Sequence, residues 1–309
     1  MQVMPSHMRK SMYARLIKRG KRKYPGLMLR WIPPSGLQMV LGKRWSIGEP
    51  YYWMMREIDD VVDGDAPVPS TYTSAVEYLK QKIKFVQDGT PRDLIEEIMV
   101  KCWERLDTLG GRSWALRDAT KDILSCMKFD QERTDRFHAT GRASMLGKGT
   151  ISKYFREMEF SGVMRCMLEL IEGTSSKISE VEDLVYASGR HRIFLRDLSE
   201  DSARGLVNIP KKEWLEHSSR SEFVEFCERC KTQGRLSKEN AKEFFATAPE
   251  AVRQWARKQV EQGSELLQKY SASKKSKQFG ACARFILHYH HERPSRKFFA
   301  GVGPTVARL

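Results

Sequence analysis

The sequence lacks long apolar runs, alternating strand patterns and clustered cysteines. No segment reaches the roughly 18 consecutive apolar residues that a membrane-spanning helix needs, so we expect no transmembrane segment. Alternation of apolar and polar residues, which is typical of half-buried strands, is not sustained anywhere, and this predicts an all-α chain. The six cysteines are scattered and follow no secretory signal, which favours reduced thiols in a cytoplasmic protein.

Acidic residues are absent before Glu49, although lysines and arginines are frequent there. We interpret residues 1–48 as a basic N-terminal arm with the first helices. Three readings of the arm stay open: a solvated basic helix, an arm on a membrane surface, or an organelle transit peptide. The net charge of +15 predicts anionic partners, such as polyphosphate substrates or a peripheral membrane surface. No nucleic-acid-binding module is recognisable, so nucleic acid is not expected as a partner.

Carboxylates at helical spacing mark two otherwise apolar stretches of the chain. In each, two aspartates lie four residues apart: Asp59 and Asp63 in the first acidic motif, and Asp197 and Asp201 in the second. Residues four apart share a face of a helix, where two like charges repel each other. Mg²⁺ would offset this repulsion, because it takes oxygen ligands and commonly bridges one or two carboxylates to substrate phosphates. Two such helices facing each other would form a clamp for metal and diphosphate.

Arginines accompany both acidic motifs. Arg56 lies three residues before Asp59, and Arg190 and Arg204 have the spacing that would place them on the helix face of the second motif. The guanidinium group binds phosphate oxygens bidentately, so these side chains are candidates to hold a diphosphate. The alternative is a pair of ordinary solvated helix faces with intrahelical ion pairs.

The two motifs resemble the Asp-rich motifs of the squalene/phytoene synthase family, the head-to-head trans-isoprenyl diphosphate synthases. The family writes the first as roughly R-x-x-D-D-x-x-D, which this chain carries as Arg56, Asp59, Asp60 and Asp63. It writes the second as roughly L-R-D-x-x-E-D-x-x-x-G-R-x-Y-L-P, and the matching residues are Leu195, Arg196, Asp197, Glu200, Asp201, Gly205 and Pro210. The resemblance implies a single-domain, all-α isoprenoid-synthase bundle with a central apolar cavity over residues 49–294, followed by a C-terminal tail of residues 295–309.

The resemblance also implies roles for individual residues. The catalytic residues would be Asp59, Asp63, Asp197 and Asp201, which would hold Mg²⁺, with Mn²⁺ as a substitute. The substrate-binding residues would be Arg56, Arg190, Arg196, Arg204, Asp130 and Tyr154. Asp130 lies in a Lys-Phe-Asp-Gln segment, and Tyr154 precedes a Ser-Gly pair, both of which are similar to family segments near the substrate cleft.

The reaction implied by the resemblance is a head-to-head (1′–1) condensation of two prenyl diphosphates, farnesyl or geranylgeranyl. It releases diphosphate and gives a squalene- or phytoene-like product through a cyclopropyl intermediate. The first motif reads Asp-Asp-Val-Val-Asp-Gly, which is closer to the phytoene-synthase branch of carotenoid biosynthesis. That branch needs no NADPH, which only a squalene product would require. The prenyl chain length and the oligomeric state stay open.

Three other functions stay open. A class I terpene cyclase acting on one prenyl diphosphate would also use the first acidic motif. A head-to-tail prenyltransferase would want a second D-D-x-x-D, which the second motif does not supply. A non-catalytic homologue acting as an assembly or binding factor is favoured by Ile193, because the family has a metal-holding Asn at that position.

Periodicity and punctuation predict helices over approximately residues 50–63, 71–88, 91–109, 113–129, 151–172, 179–205, 222–232, 238–246, 249–270 and 279–291. The expected boundary signals include Pro50 in a first turn, a capping box opened by Ser179, and Pro294 after the last helix. Residues 134–149 are polar and contain glycine, so we expect a long loop or a mobile lid there. We interpret the lone Cys227-x-x-Cys230 pair as chance spacing and the His288/His291 pair as a polar helix end.

Overall fold

The structure is a computed structural model of the chain and describes residues 42–233, 235–273 and 275–308. Within these ranges all regular elements are helices and no strand occurs, which confirms the predicted all-α class. Among the described helices, none combines the length and the hydropathy that a membrane-spanning segment requires. Residues 1–41, which carry most of the basic N-terminal arm, lie outside the described ranges, so the three readings of the arm stay predictions.

The chain divides into two compact units. The described part of unit 1 runs to Lys121 and includes Cys166–Ser175, whereas unit 2 contains Asp122–Arg165 and the described residues from Ser176 onward. Two helices contribute residues to both units. A single domain with a central apolar cavity stays a prediction.

The described part of unit 1 is built on the helices α1 (Trp45–Val62), α2 (Ala75–Asp88) and α3 (Leu94–Thr108). Helix α1 packs against α2 and α3, and its apolar face, which includes Ile47 and Ile58, is buried. Phe85 of α2 stacks on Trp103 of α3, with ring centroids 5.0 Å apart. The first part of α4 (Ser113–Thr140) and the last part of α6 (Ser161–Glu172) complete the unit.

Polar side chains set the start of two helices in unit 1. Ser74 caps α2 by accepting a hydrogen bond from the amide of Glu77, and Asp93 caps α3 by accepting from the amide of Glu96. Lys82 of α2 is 2 % exposed and contacts the carboxylates of both Asp93 and Glu96. A buried ion-paired network therefore joins α2 to the start of α3.

Unit 2 contains the remaining helices of the described chain. They are α5 (Lys148–Ile151), α7 (Glu182–Gly189), α8 (Leu198–Ala203), α9 (Lys211–Leu215), α10 (Arg220–Cys230), α11 (Ala241–Thr247), α12 (Glu250–Ser273), α13 (Ala281–Ile286) and α14 (Arg293–Ala307). Helix α12 packs against α7, α9 and α14, while α8 packs on α10. Trp255 of α12 is buried in this core and contacts Phe194. Short 3₁₀ turns occur at Gly42–Arg44 in unit 1 and at Ser176–Glu180 and Lys275–Gln278 in unit 2.

In the described ranges, three π-helical segments interrupt the α-helices. They are π1 (Ser152–Phe160) between α5 and α6, π2 (Arg190–Arg196) between α7 and α8, and π3 (Leu287–Glu292) between α13 and α14. A π-turn bonds residue i to residue i+5 rather than i+4, so it changes which residues share a face. The continuous α-helix predicted over residues 179–205 is therefore wrong. The α-helical spacing that grouped Arg190 with the second acidic motif does not hold either.

Burial moves two helix ends away from their sequence signals. Helix α1 begins five residues before Pro50, because Ile47 is fully buried and the helix continues through the proline. Helix α4 continues to Thr140, because Phe137 is buried on its inner face. The loop predicted for residues 134–149 is therefore wrong in its first half.

Two other boundary signals were also wrong. Helix α7 begins at Glu182 without a side-chain cap, so Ser179 does not form the predicted capping box. Pro294 does not end the last helix but lies in the first turn of α14, where its missing N–H is tolerated. Helix α14 packs on α12 and buries Phe299, so most of the residues assigned to a C-terminal tail belong to this helix.

Candidate functional site

The first acidic motif lies at the end of α1, in unit 1. Arg56 forms ion pairs with both Asp59 and Asp60, and its Nη2 lies 3.0 Å from Oδ1 of Asp60. These three side chains are partly buried. Asp63 is the C-cap residue and is exposed, and its amide donates to the carbonyl of Asp59 at 2.8 Å. The contacts confirm that Arg56 and Asp59 share a face, as their spacing predicted.

The first motif lies at the C-terminal end of α1, where the helix dipole is negative. The C-terminal end of a helix carries a partial negative charge, and carboxylates in the last turn add to it. Helix α1 has no basic residue in its last turn, and Arg56 in the preceding turn pairs with both Asp59 and Asp60. Carboxylates grouped at a negative helix end are suited in charge to a cation.

The second acidic motif spans the junction of π2 and α8, in unit 2. The amide of Asp201 donates to the carbonyl of Asp197 at 2.9 Å, so one helical turn separates the two carboxylates. Arg196 binds Asp197 through two hydrogen bonds, from Nε to Oδ1 at 2.8 Å and from Nη2 to Oδ2 at 2.7 Å. The Nε of Arg235 lies 3.2 Å from the same Oδ1. Both oxygens of Asp197 are therefore held by arginine.

A third carboxylate, Asp130 of α4, lies within electrostatic range of the second motif. Burial raises the pKa of Asp201, and the charges of Asp197 and Asp130 raise it further. Arg204 acts on the same carboxyl in the opposite direction. Burial also raises the pKa of Asp130, although Arg133 and Arg204 oppose this effect. The structure thus brings Asp130 into the neighbourhood of Asp201 and Arg204, which lie far from it in the sequence.

Arg133 belongs to this region but was not singled out by any sequence pattern. It is 3 % exposed, and its Nη1 donates to Oδ1 of Asp130 and to Oδ1 of Asn208, both at 2.9 Å. Its Nη2 donates to the carbonyl of Val207 at 3.3 Å. Arg133 therefore orients Asp130 and ties α4 to the segment after α8. The three-residue spacing from Asp130 was an available signal, but the helix was predicted to end before it.

Arg190 contacts residues other than those of the second motif. Its Nη2 donates to Oε1 of Gln262 at 2.9 Å, and its Nη1 donates to the carbonyl of Tyr186 at 3.4 Å. It lines a surface cavity of about 330 Å³, whose other lining residues are Arg156, Tyr186, Gln262, Glu265, Leu266 and Lys269. The walls of this cavity contain no aspartate of the second motif.

Tyr154 is held by an aromatic stack. Its ring lies parallel to that of Phe129, with centroids 4.1 Å apart and planes 8° apart. Its carbonyl accepts a hydrogen bond from Sγ of Cys126 at 2.9 Å. Packing accounts for the position of the partly buried Tyr154 side chain, and a role in substrate binding stays a prediction.

The carboxylates do not form a complete metal cage by themselves. In the part of the chain that the structure describes, no three histidine, cysteine, aspartate or glutamate side chains are grouped to hold a metal ion. A Mg²⁺ ion here would draw on one or two carboxylates and on oxygens of a substrate, which is its usual arrangement. The residues fit this ion in donor type, because the candidate ligands offer only carboxylate oxygens.

The Cys227/Cys230 and His288/His291 pairs are surrounded by other residues of the protein. All six cysteines are free thiols in the structure, and Cys227 and Cys230 are both buried. The Nδ1 of His288 lies 3.1 Å from a carboxylate oxygen of Glu292. The Nδ1 of His291 lies 3.1 Å from the hydroxyl of Ser188 in α7, so this half-buried histidine is held by a neighbouring helix.

Comparisons with protein-family models, with curated proteins and with solved structures found no match to this chain. The resemblance to the squalene/phytoene synthase family rests on the motif residues quoted above, and membership of that family stays a prediction. The local geometry stands independently of it: carboxylates paired with arginines, at each of two acidic motifs in an all-helical chain.

Proposed function

We propose that this chain is a Mg²⁺-dependent prenyltransferase that condenses two prenyl diphosphates head-to-head. It releases diphosphate and forms a phytoene- or squalene-like hydrocarbon. The proposed catalytic residues are Asp59, Asp63, Asp197 and Asp201. The proposal combines the resemblance of the two acidic motifs with the contacts that surround them.

The observation that supports the proposal best is the mixture of carboxylates and guanidinium groups at the second motif. The negative charges of Asp197 and Asp130 act on the carboxyl group of Asp201, and the positive charge of Arg204 acts on it in the opposite direction. Arg196 is within hydrogen-bond distance of both oxygens of Asp197. Such a set is complementary to a diphosphate and its counter-ion, because arginines bind phosphate oxygens and carboxylates bind a hard cation.

The side chains would have separate tasks during the reaction. Mg²⁺, when bound, would supply Lewis-acid stabilisation of the departing diphosphate. Arg56 and Arg196 would exchange their carboxylate partners for phosphate oxygens on substrate binding, because both kinds of contact are charge-assisted hydrogen bonds. Arg133 would keep Asp130 in position through its bond of 2.9 Å. Apolar side chains would exclude water, which would otherwise quench an allylic cation.

The test is incubation of the purified full-length protein with farnesyl or geranylgeranyl diphosphate and Mg²⁺, with and without NADPH. Released diphosphate and extracted hydrocarbons are both measured. The expected result is a C30 or C40 hydrocarbon whose formation stops when EDTA is added. Asp59→Asn or Asp201→Asn should lower the rate by about 100-fold or more, which is the usual loss for one electrostatic group at an active site. Asp118→Asn is the matched control, because Asp118 is 52 % exposed and lies in neither motif.

Other outcomes would reassign the function. A cyclic C15 or C20 product would make the protein a class I terpene cyclase. A folded protein that releases no diphosphate would contradict catalysis and favour a binding or assembly factor. Ile193→Asn would then be the next variant, because it restores an oxygen donor in π2 at the position where the family has one.

A further inference from the structure

The cavity around Arg190 in unit 2 takes no part in the reaction proposed above. Its walls come from four elements: Arg156 of π1, Tyr186 of α7, Arg190 of π2, and a stretch of α12 that includes Gln262 and Lys269. Its volume of about 330 Å³ is within the range of roughly 300–1,000 Å³ that small-molecule sites occupy. Three of its lining side chains are cationic and one, Glu265, is acidic.

Of the three cations that line the cavity, Arg190 is the one whose hydrogen bonds reach no carboxylate among the described residues. Its hydrogen bonds go to neutral groups, the amide oxygen of Gln262 and the carbonyl of Tyr186. Its Nε is buried and has no hydrogen-bond partner among the described residues. Burial and the nearby charge of Arg156 lower the pKa of Arg190, so the site disfavours the guanidinium charge as it stands. An anion in the cavity would satisfy this group.

The other two cations can turn toward a ligand. The guanidinium of Arg156 lies 4.3 Å from the centre of the Tyr186 ring, which keeps it beside the cavity wall. Its contact with Glu182 is 3.9 Å long, and both side chains are at least half exposed, so the pair is weak. Lys269 is 72 % exposed and contacts Asp183 at 3.2 Å. Glu182 and Asp183 therefore offset part of the positive charge of the cavity. They contact the exposed Arg156 and Lys269 and not Arg190.

We propose that this cavity binds the diphosphate group of a small molecule through Arg156, Arg190 and Lys269 without a metal ion. Two planar guanidinium forks suit phosphate oxygens bidentately, and Lys269 adds a mobile point charge. Leu266 and Tyr186 offer an apolar surface to the part of the ligand next to the diphosphate. The inference does not rest on the proposed function, because it needs neither Mg²⁺ nor the acidic motifs.

The test is isothermal titration calorimetry of the full-length protein with inorganic diphosphate in buffer that contains EDTA. Inorganic phosphate is titrated separately and should bind more weakly, because it engages fewer donors at once. Arg190→Gln and Arg156→Gln should each weaken diphosphate binding by about tenfold or more, which is the affinity carried by one lost charge-assisted hydrogen bond. Lys242→Gln is the matched control, because Lys242 is an exposed cation of the same unit outside the cavity.

The outcomes separate this site from the proposed enzyme activity. Asp201→Asn should leave metal-free diphosphate binding unchanged, whether or not it abolishes turnover. Failure of the wild-type protein to bind diphosphate in EDTA, or equal affinities for wild type and Arg190→Gln, would overturn the proposal. Arg156→Gln keeps the test valid if Arg190→Gln unfolds, because the Arg156 side chain is 56 % exposed. Circular dichroism of each variant verifies the helical fold before titration.

Discussion

Gly205 allows a stability prediction at the end of the second acidic motif. It follows α8 with a φ of 77°, and its amide donates to the carbonyl of Ser202 at 2.9 Å. A Cβ atom at this position would lie 2.7 Å from Cβ of Phe137 and closer still to its ring. Phe137 is buried, so its ring can move away only by displacing the side chains packed around it. Gly205→Ala therefore combines backbone strain with a steric overlap.

The two costs can be worked out separately. An L-residue in the left-handed region costs about 1–2 kcal/mol. Forcing an extra methyl group into a packed core costs about 1–3 kcal/mol. Gly205→Ala should therefore lower the free energy of unfolding by about 2–5 kcal/mol. Urea denaturation followed by far-UV circular dichroism measures this loss as a shift of the midpoint at constant slope.

Gly141 supplies the control for this prediction. It lies in the same unit and has a φ of 65°, but a Cβ there would meet nothing within 4 Å. Gly141→Ala should therefore show only the backbone cost, about 1–2 kcal/mol. In a Phe137→Ala background the effect of Gly205→Ala should fall to the same value. Equal losses for the two glycine variants in the wild-type background would refute the steric part of the reasoning.

Two buried groups give further predictions. Lys82→Met should lower the free energy of unfolding by about 3–5 kcal/mol, because it leaves the fully buried carboxylate of Glu96 without its ion-pair partner. Urea denaturation measures this loss, and the double variant Lys82→Met/Glu96→Gln should recover part of it. Burial lowers the pKa of His191 to about 3 from 6.5, so only the unfolded chain gains a proton between these values. As the pH is lowered through this window, the free energy of unfolding should therefore decrease by up to about 1.4 kcal/mol per pH unit. The decrease should be less steep in His191→Gln, whereas His217→Gln, which changes an exposed histidine, should behave like the wild type.

Local sequence signals predicted the helices better than their ends. The all-α class follows from periodicity alone, and most helices lie close to their predicted ranges. The ends of α1 and α4 differ because burial of Ile47 and Phe137 is decided by tertiary packing, which no local signal reports. The π-helical geometry of π2 also could not be predicted from local sequence signals. His191 and Phe194 are buried in it, and a Cβ at the preceding Gly189 would collide with Phe160, so close packing accompanies the change of helix type.

The sequence identified the candidate site residues more successfully than it predicted which of them contact each other. The pairing of Arg56 with Asp59 followed from spacing, because both lie in one uninterrupted α-helix. The proximity of Asp130 to Asp201 depends on how α4 packs on the segment that follows α8, where Arg133 bonds to Asn208, so no spacing could predict it. The α-helical spacing that grouped Arg190 with the second motif assumed a regular helix, and π2 intervenes.

The second motif and the Arg190 cavity should respond differently to Mg²⁺. At the second motif, Arg196 is engaged by Asp197, so a cation bound to that carboxylate would release the arginine for phosphate. Binding of Mg²⁺ and of diphosphate there should strengthen each other by the same factor. In the cavity, Arg190 has neutral partners and no carboxylate to release. Diphosphate titrations of Arg190→Gln should consequently show binding that requires Mg²⁺, whereas Asp201→Asn should show binding that does not. Metal-independent binding of equal strength in both variants would contradict this division of the two sites.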